Sequence, residues 1–418
     1  MPLSLESWLD YIEQLHPVKW DLGLSRVSQV AAQLKVEHPG DQVILVAGTN
    51  GKGTTCEYLM EMALAAGKKV GLTTSPHLTC FNERIRINGV NVSDATIVKA
   101  FEKIETTRGS VSLSYFEFSA LAAMLIFEEA DVDVAILEVG LGGRLDAMNV
   151  VRPDLCIITQ IALDHQNYLG ATKEEIGFEK AGILRPGIPL VLVDTPATKS
   201  ILAEADRLAS PVSQQGCEYG YQAASYWCRT AETELMEYPA EHLGWLPNSS
   251  AAGALQAAQL VGIAPDTAQF RDILNETRLP GRMQQIPWHG RHLILDVAHN
   301  PSAAEYLVSQ ISKIVDRGRL LAVVGMYADK DFHTVLNLMN TVIDAWYFTE
   351  TEEKRSAASA DLKAALQQEM RPVARCYAKV ATAFEAAFEA SEPGTTILVF
   401  GSFPVVGKVL DLLQVESI

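Results

Sequence analysis

The chain is poor in the residues that staple small secreted or metal-bound proteins together. Its 418 residues include only six cysteines, Cys56, Cys80, Cys156, Cys217, Cys228 and Cys376, and no two lie at the close spacing of a zinc motif or a dense disulfide framework. They read as reduced thiols of a cytoplasmic protein. No uninterrupted apolar stretch approaches the ~20 residues needed to span a bilayer. Glu6, Asp10 and Glu13 interrupt the N-terminal segment where a secretory signal would be apolar. Positive charge is also scarce: 34 Lys and Arg stand against 51 Asp and Glu, a formal net charge of −17. Such an excess leaves no broad basic surface for a nucleic acid or an anionic membrane, while small anionic substrates remain open through local basic groups. Low-complexity segments and short-period repeats are missing as well.

What is present is ordinary globular material. With 48% hydrophobic and 20% charged residues the chain can bury sizeable cores and shows no bias toward disorder. Its length exceeds what one hydrophobic core usually supports, so two domains are expected. Trp8, Leu9, Ile12 and Leu15 suit an N-terminal amphipathic helix. Short runs of strand length then recur at Val43–Ala47, Val70–Thr74, Val134–Val139, Leu155–Ile161 and Leu190–Val193, with helical patterns between them. They are apolar at successive positions, not alternating ones. That marks strands covered on both faces, hence a mainly parallel sheet flanked by helices. From Gly216 to Pro247 the pattern weakens into either a small antiparallel excursion or irregular surface. A helical run from Ala251 to Leu260 follows, and the Pro280-Gly281 pair breaks regular structure.

The domain boundary is placed there, dividing residues 1–281 from 282–418. The second part begins a new alternating series, with strands at Leu293–Val297, Leu320–Val324, Trp346–Thr349 and Thr396–Phe400. The expected fold class is α/β: an N-terminal P-loop-type ATPase domain with a mainly parallel sheet, and a smaller C-terminal Rossmann-like domain. Ligands are expected beyond the carboxyl ends of the parallel strands and in a cleft between the domains.

The stretch that organises this reading is Val43-Ile44-Leu45-Val46-Ala47-Gly48-Thr49-Asn50-Gly51-Lys52-Gly53-Thr54-Thr55, an apolar strand discharging into a glycine-rich turn with one lysine. Glycines let backbone N–H groups converge on an anion, and the following helix offers its positive end to phosphate. The general phosphate-loop pattern places more residues between its first glycine and the Gly-Lys pair. An ordinary strand-to-helix turn is therefore the alternative. The lysine favours the phosphate reading, because a plain turn has no use for a cation between two glycines whereas a triphosphate does. Lys52 would reach the terminal phosphates, and Thr54 or Thr55 a magnesium ion.

Other suggestive groups fall at the carboxyl ends of the expected strands. Ser75 follows the second, Glu138 ends the third before Gly140-Leu141-Gly142-Gly143-Arg144-Leu145-Asp146, and Asp164-His165 follows the fourth. Together they could complete a magnesium site, where oxygen ligands are preferred and histidine is less usual. Taken alone, Ser75 before a proline makes a turn as readily as a ligand and His165 is more often structural, whereas Glu138 ending an apolar strand needs a partner. Lys180 reads on pattern as a solvated helix lysine. In the second part, Asp296-Val297-Ala298-His299-Asn300-Pro301 repeats the arrangement of a strand ending in polar groups before a helix. There Asp296 either accepts from a ribose or an amine, or forms an Asx turn. Arg282 is either a hinge arginine on phosphate or surface charge, and Ser402 ends the last strand.

Taken in order, Ala47–Thr55, Ser75-Pro76-His77-Leu78, Ser114-Tyr115-Phe116-Glu117-Phe118, Glu138–Asp146, Leu163-Asp164-His165, Glu179-Lys180-Ala181-Gly182-Ile183, Leu279-Pro280-Gly281-Arg282 and Asp296–Pro301 resemble the bacterial dihydrofolate synthase/folylpolyglutamate synthases, relatives of the Mur peptide ligases. The resemblance runs from about Trp8 to about Gly407, and the shortened phosphate loop is the Mur-type form. It implies ATP-dependent addition of L-glutamate to dihydropteroate and to reduced folates through an acyl phosphate, by a cytoplasmic monomer with magnesium. Gly48, Thr49, Asn50, Gly51, Lys52, Gly53 and Thr54 would hold ATP, with Arg282 and Asp296 reaching the nucleotide.

On the same resemblance Ser75, Glu138 and His165 match magnesium ligands, which takes that role from the threonines. Lys180 matches a carbamylated lysine that would hold a second ion. Ser114, Tyr115, Phe116 and Glu117, with Leu145, Asp146 and Ala147, correspond to the pterin-substrate site, and His299 and Ser402 to residues holding the incoming glutamate. The nucleotide-contacting asparagine of the family falls on Ser250 in an ungapped match, with Asn248 two residues earlier as the alternative. Rival expectations are a monofunctional folylpolyglutamate synthase, a cell-wall peptide ligase with too little sequence before Val43 for its extra domain, and a nucleotide-binding regulatory module without turnover.

Overall fold

The computed structural model describes residues 3–16, 22–222, 225–230, 234–240, 246–314 and 318–415. It divides into two compact units, the first of residues 1–77 and 81–277, the second of residues 278–418 together with Leu78–Cys80. The first opens on the helix Leu5–Leu15, capped by Ser4 and burying Leu5, Trp8 and Ile12, as the spacing of its apolar residues predicts.

In the first unit the described residues form an eight-stranded sheet. Its strands are β1 (Gln42–Ala47), β2 (Val70–Thr73), β3 (Ile85–Ile87), β4 (Val90–Asn91), β5 (Val134–Glu138), β6 (Leu155–Ile158), β7 (Leu190–Leu192) and β8 (Val212–Gln214). They lie in the order β4-β3-β2-β5-β1-β6-β7-β8. From β2 to β8 every pairing is parallel. β3 and β4 add an antiparallel edge, turned by Asn88 and Gly89 at φ 51° and 78°, the left-handed pair that a tight hairpin needs.

β1, β5 and β6 are buried along almost their whole length, which explains their unbroken apolar runs. Register then decides what meets at the sheet edge. Val46 lies beside Glu138, Ala47 beside Ile158 and Thr73 beside Leu137. The chain therefore leaves β1, β2, β5 and β6 at one level, delivering Gly48, Thr74-Ser75, Glu138 and Thr159 together.

The ambiguous stretch after Gly216 contains a small antiparallel sheet, β9 (Gly220–Gln222), β10 (Ser225–Arg229) and β11 (Leu235–Pro239). Residues 223–224, 231–233 and 241–245 of that stretch lie outside the described residues. Within β10 only Tyr226 and Cys228 are buried, and the Tyr226 and Tyr238 rings meet Phe270 edge-on at 5.1 and 5.3 Å.

The second unit holds a six-stranded sheet in the order β12-β13-β17-β14-β15-β16. Its strands are β12 (Gln284–Trp288), β13 (Arg291–Asp296), β14 (Leu320–Val324), β15 (Ala345–Phe348), β16 (Ala374–Cys376) and β17 (Thr396–Phe400). The pairings are parallel except for the β12–β13 hairpin, so the sheet is mixed. Alternate residues of the central strands feed two separate cores, Ala322, Val324 and Leu398 on one face and Leu321, Val323 and Val399 on the other. A sheet buried on both faces by helices is the α/β arrangement the sequence led one to expect. Among the described residues no helix is long and apolar enough to cross a membrane.

Candidate active site

The glycine-rich loop after β1, the candidate phosphate loop, is shaped by two glycines that cannot be replaced without strain. Gly48 sits at φ 148°, where a Cβ would stand 1.7 Å from Thr159 Oγ1. Gly51 adopts φ 87° as the N-cap of the helix Lys52–Ala65. The loop is pinned to the strand beside it, because Thr49 N–H donates to the Gln160 carbonyl at 2.8 Å and Thr49 Oγ1 donates to the Ala162 carbonyl at 3.2 Å. No side chain caps the helix, so its first-turn N–H groups, on Lys52, Gly53 and Thr54, face forward as an anion site.

Two lysines meet this loop. Lys52 Nζ donates to the Thr49 carbonyl at 3.2 Å and lies 4.0 Å from Glu138 Oε1. Lys180, near the end of the helix Lys173–Ala181, is buried and donates to the Gly48 carbonyl at 2.7 Å. Burial, with repulsion from Lys52, pulls its pKa down to about 7, although Asp164 and Asp146 favour its charge. The expectation of a solvated helix lysine fails here because the helix points its last turn inward. Gly143 and Gly182 allow that approach: a Cβ on Gly143 would meet the Glu179 carbonyl at 2.9 Å, and one on Gly182 would meet Arg144 Cβ at 2.2 Å.

The carboxylate of Glu138 is buried and accepts from Ser75 N–H at 3.0 Å. His165 is the N-cap of a short helix at φ 51°, its N–H donating to Asp164 Oδ1 at 2.8 Å. Among the described residues no three His, Cys, Asp or Glu side chains gather as a metal cage.

Beside this edge Ser114 and Glu117 form a reciprocal capping box for the helix Tyr115–Ala130, and Arg26 pairs with Glu117 at 3.2 Å. Tyr115 is half-buried against Phe81, their ring centroids 6.1 Å apart. The Phe116 ring covers Gly140, where a Cβ would meet its Cζ at 2.5 Å. Asp146 accepts from Leu141 N–H and Met148 N–H at 2.8 and 2.9 Å, and burial raises its pKa to about 6. That carboxyl shapes the loop which presents the half-buried Leu145 and the buried Ala147.

In the second unit Asp296 accepts from Met283 N–H at 2.9 Å and from Ala298 N–H at 2.8 Å. Burial raises its pKa against the pull of Arg282. The Arg282 guanidinium stands 5.1 Å from the Phe403 ring centroid, and the His299 ring 6.5 Å from the same ring. Ser402 is buried and donates to the Gly325 carbonyl at 2.8 Å.

Residues 46–243 match the Mur ligase middle domain, and residues 281–403 the Mur ligase, glutamate ligase domain. A curated relative, the dihydrofolate synthase/folylpolyglutamate synthase of Escherichia coli K12, is 41% identical over 412 residues, covering 98% of this chain and 96% of its own. The chain belongs to the dihydrofolate synthase/folylpolyglutamate synthase family of Mur ligases. It is an ATP-dependent ligase.

Solved structures agree with that membership. E. coli FolC in complex with DHPP and ADP matches with a TM-score of 0.93 at 39% identity, over 100% of this chain and 99% of that one. A bifunctional folylpolyglutamate synthase/dihydrofolate synthase with Mn, AMPPNP and L-glutamate bound matches with a TM-score of 0.90 at 39% identity, over 99% and 98%.

One alternative left open by the sequence is narrowed here, and one neighbour was not legible beforehand. Ser250 rather than Asn248 touches the phosphate loop, its Oγ donating to the Gly51 carbonyl at 3.4 Å, while the Asn248 amide oxygen accepts from Tyr226 OH at 2.9 Å. Phe403, against both Arg282 and His299, gave no signal beyond its position after Ser402.

Proposed function

We propose that this protein joins the amine of L-glutamate to the carboxylate of dihydropteroate, giving dihydrofolate, and to reduced folates, giving polyglutamates, at the expense of ATP. The observation that carries this reading is the convergence of Lys52, Lys180 and Glu138 on an open phosphate loop. The relatives support it: the curated neighbour carries both activities in its name, and the solved neighbours hold ADP with DHPP, or AMPPNP with L-glutamate and Mn. We assign the nucleotide and pterin sites to residues 1–281 and the glutamate site, with His299 and Ser402, to residues 282–418. The six cysteines remain thiols, in keeping with a reducing compartment such as the cytoplasm, and we propose that the protein acts as a monomer.

The chemistry asks little covalent work of the protein. An acceptor carboxylate oxygen bonds to the γ-phosphorus as the bond to the β,γ-bridging oxygen breaks, leaving ADP and an acyl phosphate. The glutamate amine then attacks the acyl carbon, expelling phosphate and losing a proton. Gly48 to Thr54 hold the phosphates through backbone N–H groups, and Lys52 opposes the charge that builds on the transferring group. Arg282 and Asp296 are assigned to the nucleotide as well, and Asn248 remains a nucleotide candidate beside Ser250. Ser114 to Glu117 and Leu145 to Ala147 position the pterin.

The donor set fits magnesium. One buried carboxylate with a hydroxyl is too little for an all-protein cage, but magnesium takes one or two carboxylates and completes its shell with phosphate oxygens and water. Ser75, Glu138 and His165 would hold one ion. Lys180 fits the second, because a buried amine with its pKa near 7 is substantially neutral at physiological pH. It can add carbon dioxide, forming an N–C bond and releasing one proton, to become an anionic oxygen donor. When bound, the ions supply charge neutralisation for phosphoryl transfer.

Purified protein with ATP, L-glutamate and dihydropteroate is expected to form dihydrofolate. Absence of dihydrofolate while tetrahydrofolate is still extended would leave a monofunctional folylpolyglutamate synthase.

A further inference from the structure

Arg84 ends the short 3₁₀ helix Phe81–Arg84, just before β3. Its Nε donates to His77 Nδ1 at 2.8 Å. Its guanidinium carbon lies 5.6 Å from the centroid of the Phe81 ring and 5.8 Å from that of Tyr115. A guanidinium stacked on aromatic faces keeps its in-plane N–H donors for a partner at its edge.

That partner is not a carboxylate of the described protein. Arg26 pairs with Glu117 at 3.2 Å, Arg86 with Glu57 and Arg108 with Glu105, whereas Glu83 and Glu138 act on Arg84 only through space. Burial already holds the Arg84 pKa below its usual value. A cation withdrawn from water without a directly paired carboxylate is costly, and a ligand carboxylate would reduce that cost.

Its place in the fold says which carboxylate. Tyr115 belongs to the segment assigned to the pterin, and the neighbouring Phe116 ring covers Gly140, two residues past Glu138. Arg84 faces Tyr115 while its carbonyl accepts from Thr74 N–H at 3.2 Å, just past β2. It therefore stands between the pterin segment and the strand ends beside the phosphate loop, where the reacting carboxylate must lie if the pterin is at one side and ATP at the other.

We propose that Arg84 binds the acceptor carboxylate through its Nη groups and orients one oxygen toward the phosphate loop. The inference rests on the folate-ligase reading and adds to it a residue that selects acceptors by their acid group. A planar fork matches a carboxylate bidentately, and hydrogen bonds to a charged group contribute roughly 1.5–3 kcal/mol, about 10–100-fold in affinity.

The test compares binding of dihydropteroate with that of the same pterin-aniline lacking its carboxyl group, in wild type, Arg84→Gln and Arg84→Lys. Each variant's KM for ATP serves as the control for folding. Wild type is expected to prefer the acid by ~10–100-fold, Arg84→Gln to lose that preference with little change in KM for ATP, and Arg84→Lys to restore part of it. A wild type indifferent to the carboxyl group, or a preference that persists undiminished in Arg84→Gln, overturns the proposal. If wild type binds neither compound, the pterin reading itself falls, and this inference with it.

Discussion

Two turns in this molecule look alike in sequence and differ in what they leave undone. β1 runs through Gly48–Gly51 into the helix Lys52–Ala65, and β13 runs through Val297–Asn300 into the helix Pro301–Ile311. The second turn satisfies its own backbone donors. Asp296 takes two backbone N–H groups, Asn300 Oδ1 accepts from Ala303 N–H at 3.0 Å, and Pro301 occupies the first helical turn without needing a partner. The first turn has no capping side chain. Its first-turn donors stay open, and two lysines are folded in behind them. A strand–turn–helix unit becomes a phosphate site when its donors are left for a ligand.

Removing the cation from the open turn should have the largest effect. Lys52→Ala is expected to lower turnover by ~10³-fold, the scale of losing one preorganised electrostatic group, with an unchanged thermal midpoint. A rate within tenfold of wild type would erase the distinction drawn between the turns. Lys180→Ala should come next, losing most activity, and added short carboxylates should restore part of it by standing in for the carbamate. Because the Lys180 pKa is drawn down to about 7, its amine is protonated below that pH and neutral above it. The carbamate signal from ¹³C-bicarbonate should therefore grow as pH rises through about 7 and fade on acidification. A signal independent of pH, or full activity in the plain variant, would remove the role.

Gly48→Ala tests shape without charge. The added methyl must displace Thr159, and overpacking of this kind costs ~1–3 kcal/mol, read as a lowered midpoint in urea. The smallest effect belongs to the self-satisfied turn. Asn300→Ala should cost ~1 kcal/mol through the lost cap with kcat close to wild type. A large loss of kcat would show that the cap itself, and not only Asp296 and His299, serves a ligand.

The strands were legible because burial on both faces writes itself as continuous apolar runs, and β1, β5, β14 and β17 all carry that signature. The antiparallel edge was not read, although Asn88-Gly89 is a hairpin signal, because β3 and β4 are short and partly exposed. β10 alternates buried and part-buried residues over only five positions, too few to stand out among polar neighbours. Lys52 could be picked out because its glycines mark it. Lys180 could not be from pattern alone, since its burial depends on Gly143 and Gly182 admitting two backbones side by side. Arg84 depends wholly on tertiary approach, which no local spacing records, whereas Ser250 was one of two positions the family match already offered.

The 1.7 Å between Thr159 Oγ1 and the place a Cβ would occupy on Gly48 also bears on how this gene can drift. Every substitution at codon 48 that changes the amino acid adds a side chain, and beyond the Thr159 hydroxyl that side chain would meet the backbone N of residue 159 at 3.0 Å and would have to sit at a φ of 148°. Trimming residue 159 would not lift that restriction, so glycine at 48 should persist even where the residue at 159 changes.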